Sequence, residues 1–87
     1  MASLTLLYFA WVRERIGLDE ERIARPAPGT TIAALLDQLA GASAGHEAAF
    51  ADRARLRAAL DQRFVPLDSE IGEARELALF PPVTGGG

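Results

Sequence analysis

Between residues 30 and 41 the chain carries its one strong helical signature. Ile32, Leu35, Leu36 and Leu39 recur at i, i+3, i+4 and i+7, behind Thr30 and Thr31, either of which can cap the first turn, and ahead of Gly41, which stops it. Most of the other apolar runs are short and alternate, the period of a strand. One main amphipathic helix and several short strands bury their apolar faces by laying the helix across a single sheet. At 87 residues there is room for one such pair of layers. A chain of this size buries somewhat over ~60% of its unfolded surface, enough for one modest core without covalent staples.

The strands follow from period two. Ser3 to Phe9 sets Leu4, Leu6 and Tyr8 on one face and Thr5, Leu7 and Phe9 on the other, so both faces are apolar and the strand is interior. Ala10 to Ile16 reads as a short helix ending at Gly17, with Val12 and Ile16 on its inner stripe and Trp11 packed at the edge of the core. Asp19 to Arg25 is a second strand, antiparallel to the first. Pro26-Ala27-Pro28-Gly29 is a loop. Ala42 to Arg53 is rich in alanine and reads as a loose turn around Phe50, with His46 solvated in it. Leu56 to Leu60 is a strand with Leu56, Ala58 and Leu60 inward and Arg57 outward. Asp61-Gln62 turns it into Arg63-Phe64-Val65, which Pro66 ends. Leu67 and Ile71 pack beneath a loop around Gly72. Glu76 to Phe80 closes the domain, with Leu77 and Leu79 on one face and Ala78 and Phe80 on the other. The order is strand, short helix, strand, long helix and three strands. It predicts an α+β fold of the β-grasp (ubiquitin-like) kind, a mixed sheet packed on one main helix, over residues 1–80.

Residues 81–87 are a different kind of sequence. Pro81 and Pro82 have no backbone N–H and end the ladder directly after an apolar strand. Val83, Thr84, Gly85, Gly86 and Gly87 follow, so a short stiff stem leads to a tail almost without side chains. Such a tail, extended, reaches about 20 Å and suits a narrow channel in a partner, terminal carboxylate first. Glycine-rich termini are also commonly frayed ends. The absence of any linker before this one favours a tail with a task.

Composition narrows the chemistry. There is no cysteine, which excludes disulfides, thiolate metal sites and a cysteine nucleophile, and one histidine cannot build a metal cluster. A net charge of −3 disfavours generic nucleic-acid binding. No apolar run approaches the ~20 residues of a membrane span, and the expected compartment is the cytoplasm. All nine basic residues are arginine. A chain without lysine offers no side-chain amine to an activated carboxylate of its own.

Two motifs together resemble a known family. Leu7-Tyr8-Phe9-Ala10-Trp11-Val12-Arg13-Glu14-Arg15-Ile16-Gly17 is similar to its apolar strand followed by Phe-Ala-x-x-Arg-Glu and a glycine. Leu79-Phe80-Pro81-Pro82-Val83-Thr84-Gly85-Gly86 is similar to its ending, Phe-Phe-Pro-Pro-Val-x-Gly-Gly. With the Leu60-Asp61-Gln62 hairpin, they resemble the small subunits of molybdopterin synthase, ubiquitin-like sulfur carriers of molybdenum cofactor synthesis. The likeness covers essentially the whole chain. It departs at the end, where three glycines stand for two, and at Glu73-Ala74-Arg75, where Ala74 replaces the glycine of an Asp-Gly-Asp turn.

The resemblance implies a carrier cycle. A partner enzyme spends ATP to adenylate the terminal carboxylate, on Gly86 in family register and on Gly87 as the sequence stands. Sulfur displaces AMP and leaves a thiocarboxylate. The large subunit of the synthase takes in the tail, and the sulfur passes to cyclic pyranopterin monophosphate. The catalytic side chains then belong to the partners, with no cofactor or metal bound by this chain. Phe80, Pro81, Pro82, Val83, Thr84, Gly85 and Arg57 are the expected partner contacts, with Arg53 and Arg55 secondary. Three alternatives stand beside it: a ubiquitin-like protein modifier, the sulfur carrier of thiamine synthesis, and an interaction module with an inert tail.

Overall fold

The computed structural model describes residues 2–82. Five strands form one sheet in the order β2-β1-β5-β3-β4. They are β1 (Ser3–Tyr8), β2 (Glu20–Ala24), β3 (Arg57–Leu60), β4 (Arg63–Val65) and β5 (Glu76–Phe80). β1 and β5 run parallel, with Leu6 opposite Leu77 and Tyr8 opposite Leu79. The other pairs are antiparallel, so the sheet is mixed and its last strand is its middle one.

The helices are α1 (Ala10–Ile16), α2 (Ile32–Ala40) and α3 (Ala44–Phe50). α2 begins where Thr31 accepts the N–H of Ala34 on its hydroxyl, the expected N-cap. Its inner residues Ile32, Leu35 and Leu36 are buried against Leu4 and Leu6 of β1 and Leu77 and Leu79 of β5. The alternation foreseen for β1 holds residue by residue: Leu4, Leu6 and Tyr8 are buried and Ser3, Thr5 and Leu7 are not. Asp61 and Gln62 both adopt positive φ, 48° and 72°, as a two-residue hairpin of the primed type requires.

One expected element is replaced. The stretch after Gly41 is not a loose turn but a regular helix, capped by Ser43, which accepts the N–H of His46. α3 packs on both α1 and α2 and sends Ala49 and Phe50 into the core. Its approach to α1 is close. A Cβ at Gly45 would clash with the carbonyl oxygen of Arg15 and lie 3.2 Å from Ile16 Cα.

The loop before β5 is also settled. Ala74 has an ordinary negative φ, and the left-handed residue there is Gly72, with φ of 60°. The alanine at position 74 therefore carries no strain of that kind, and the turn does not depend on a glycine there.

Candidate functional site

The C-terminal end of β5 is where sequence and geometry converge. Two chain segments flank it. Phe9, just past β1, donates its N–H to Leu79 O at 3.2 Å. On the other side Arg57, the first residue of β3, is paired with Phe80. The alternation that buries Leu77 and Leu79 turns Ala78 and Phe80 to the sheet face away from the helices.

That outer face is apolar. Leu7, Ala78, Ala59 and Phe64 lie in one row across β1, β5, β3 and β4. The two alanines make a low floor. Around it stand Phe9, 48% exposed, Phe64, 79% exposed, and the half-buried Phe80. The Phe64 and Phe80 rings are 5.5 Å apart and tilted by 43°. Beside them Arg57, Ala58, Val65 and Pro66 complete a hollow of about 440 Å³. Single exposed apolar residues are ordinary, but three phenylalanines around one shallow floor form the kind of patch that marks contact with another protein.

Phe80 and Arg57 thus meet, as the sequence suggested, and Pro81 and Pro82 continue from them half-buried. Val83, Thr84, Gly85, Gly86 and Gly87 lie outside the described residues. Phe64 and Phe9 were not foreseen as contacts. For Phe64 the signal was available: in a three-residue edge strand directly after a hairpin turn, one large apolar residue has little core to enter.

The arginines divide. Arg53 is not a free docking residue. Its Nη2 donates to Asp37 at 2.8 Å and its Nε to Phe50 O at 2.6 Å, which ties α2 to the end of α3. Arg55 lies over Trp11, guanidinium to ring centroid 5.8 Å. Arg57 donates to the carbonyls of Ala54 and Leu56 at 3.1 and 2.8 Å and lines the hollow beside Phe80.

His46 is not solvated. It is 6% exposed, with Nε2 at 2.6 Å from Glu21 Oε1 and Nδ1 at 2.7 Å from Ser43 Oγ. Tyr8 donates its hydroxyl to the same Glu21 oxygen at 2.7 Å. The network is satisfied with Ser43 donating to Nδ1 and Nε2–H donating to Glu21. Burial raises the Glu21 carboxyl, but the hydrogen bonds from His46 and Tyr8 and the nearby imidazole outweigh it and hold the group below its ordinary value. Burial pushes the Tyr8 phenol well above its ordinary value, helped by the Glu21 carboxylate it donates to. These residues join β1, β2 and α3 inside the fold, away from the apolar outer face, and their work is structural.

Comparison with known proteins bears on the chain as a whole. A family model described as the ThiS family matches residues 6–86. The molybdopterin synthase sulfur carrier subunit of Escherichia coli is 39% identical over 83 residues, covering 95% of this chain and 99% of that one. Its counterpart from Haemophilus influenzae is 37% identical over 84 residues, with 95% and 99% covered. Among solved structures, small archaeal modifier protein 1 of Haloferax volcanii superposes with a TM-score of 0.73 at 27% identity, covering 95% of this chain and 100% of that one. Both curated relatives are matched along almost their full length.

Proposed function

The chain belongs to the ThiS family, and we propose that it is the sulfur carrier subunit of a molybdopterin synthase, serving molybdenum cofactor biosynthesis. The observation that carries the reading is the middle strand of the sheet. It ends in Phe80 on an apolar outer face and runs directly into Pro81-Pro82 and a glycine ending. Full-length similarity to two molybdopterin synthase sulfur carrier subunits supports it.

In this reading the outer face docks on the large subunit and the glycine ending does the chemistry. A carboxylate is a poor electrophile. Attack on the α-phosphorus of ATP by the terminal carboxylate gives an acyl-adenylate and releases pyrophosphate, with the adenylating partner supplying the nucleotide site. A sulfur nucleophile then displaces AMP, and the carrier leaves with a thiocarboxylate. Inside the large subunit the sulfur passes to cyclic pyranopterin monophosphate and the carboxylate is regenerated. Glycines without side chains let the backbone pass catalytic groups that larger residues would block. This chain supplies the reacting carbonyl and the docking face, so it is one half of an enzyme.

Reconstitution tests the reading. Thiocarboxylated chain, large subunit and cyclic pyranopterin monophosphate should yield molybdopterin, and a chain lacking Gly86 and Gly87 should yield none. A truncated chain that still supports synthesis would point to an inert tail.

A second reading is favoured by the likeness to the small archaeal modifier protein. A modifier would place the same activated carbonyl on a lysine of a target protein. Thiocarboxylation adds about 16 Da by exchanging oxygen for sulfur, whereas conjugation adds a whole protein, so intact mass separates the two.

A further inference from the structure

Beneath the end of β5, on its helix side, a second surface is built around Trp11. Arg15, one helical turn on in α1, places its guanidinium 4.6 Å from the indole centroid, and Arg55 places its own 5.8 Å from the same ring. Two like charges are gathered on one indole in a chain whose net charge is −3. Among the described residues neither has a carboxylate within 4 Å; the ion pairs formed are His46–Glu21 and Arg53–Asp37. The contrast with Arg53 is informative, because Arg53 spends its donors inside the fold while Arg15 and Arg55 are exposed.

Lying over the indole is weakly favourable for each guanidinium and uses none of its five N–H donors, and among the described residues neither arginine side chain has a hydrogen-bond partner. Each arginine is thus held near the indole with its donors unpaired among the described residues. Carboxylates are the partners such donors engage bidentately. The position is also defined. Arg55 lies two residues before Arg57, which pairs with Phe80, and Trp11 lies two residues after Phe9, which bonds Leu79. The pair therefore stands at the root of the tail. Five further residues span at most about 18 Å, so the root meets the mouth of a receiving channel, at a distance from the reacting carbonyl.

We infer that Trp11, Arg15 and Arg55 form an electrostatic clasp for an acidic segment at the channel mouth of the large subunit. The inference rests on the sulfur-carrier reading and adds a second contact to the apolar face. Exposed charges at an interface rim act mainly on association rate and on salt dependence, while the apolar centre sets the lifetime. The clasp accordingly orients the tail toward the channel before Phe64 and Phe80 are covered.

The test is binding of the full chain to its cognate large subunit across a salt series. Arg15→Gln with Arg55→Gln should weaken binding about tenfold at low salt and converge with the wild type at high salt, flattening the salt slope. Arg15→Lys with Arg55→Lys keeps both charges but not the fork, and should bind between the wild type and the glutamine pair at low salt, with the slope retained. A glutamine pair that binds with wild-type affinity and slope overturns the clasp, as does a lysine pair whose salt slope is as flat as that of the glutamine pair. Phe80→Ala serves as the control. If that variant and the wild type both fail to bind the large subunit at any salt, the sulfur-carrier reading itself has failed.

Discussion

The ring of Phe64 leans on the ring of Phe80 across the outer face of β3, at 5.5 Å and 43°. The two residues come from opposite sides of the strand between them, and together they turn an edge strand and the middle strand into one apolar surface. Tilted aromatic pairs at this spacing contribute roughly 0.5–1.5 kcal/mol when both rings are buried, and less where one ring lies largely in water. Because Phe64 is 79% exposed, Phe64→Ala should change stability by no more than about 0.5 kcal/mol. Each of Phe64→Ala and Phe80→Ala should weaken association with the large subunit by roughly 1–3 kcal/mol. Titration calorimetry on the singles and the double checks this, and unchanged affinities would remove this face from the interface.

The Tyr8–Glu21–His46 network predicts stability limits on both sides of neutral pH. The Glu21 carboxyl has a lower pKa in the folded chain than in the unfolded one, so its contribution is complete above the ordinary glutamate range. It is lost as pH falls through the lowered folded value. The Tyr8 phenol is raised on folding, so its contribution is complete below about 10, its unfolded value, and is lost as pH rises further. Thermal melts against pH should show Glu21→Gln flattening the acid limb and Tyr8→Phe flattening the alkaline one. Tyr8→Phe should also cost about 1 kcal/mol at neutral pH, the worth of one hydrogen bond. Limbs that superpose on the wild type would contradict the assignment.

Gly45 sits in a helix, where alanine is ordinarily better by roughly 0.5–1 kcal/mol. The added methyl would meet the backbone of Arg15 and Ile16 in α1 and not the movable end of a side chain. Overpacking of that sort costs about 1–3 kcal/mol, more than the helical gain. Gly45→Ala should therefore lower the melting temperature, and a rise would show that α1 and α3 separate at little cost.

The parts of this fold legible in the sequence are those set by local rules. The period of Leu4, Leu6 and Tyr8, the stripe from Ile32 to Leu39, and the Asp61-Gln62 turn each need only a few neighbouring residues to be read, and each stands where expected. α3 was hidden because alanine and glycine fill four of its seven positions, leaving little apolar contrast. Its signal was Ser43 as a cap ahead of His46, Ala49 and Phe50 at helical spacing. His46 was misread for a different reason: its carboxylate partner lies 25 residues away, on a strand across the core. Arg53 is similar, since Asp37 is 16 residues distant and its other acceptors are carbonyls that no sequence pattern announces. At the candidate site Phe80 and Arg57 were readable from strand alternation. Phe9, Phe64 and the sharing of Trp11 by two arginines depend on sheet order and helix packing.

The intact mass of the chain is the most direct probe of what its glycine ending does. After incubation with the cognate adenylating enzyme, ATP and a sulfur source, the account predicts a gain of about 16 Da, the oxygen-to-sulfur difference at an activated acyl group. The same reaction on a chain ending at Gly86 identifies which glycine is loaded. A mass unchanged in both forms, with the partner enzyme active on its own carrier, would contradict the account.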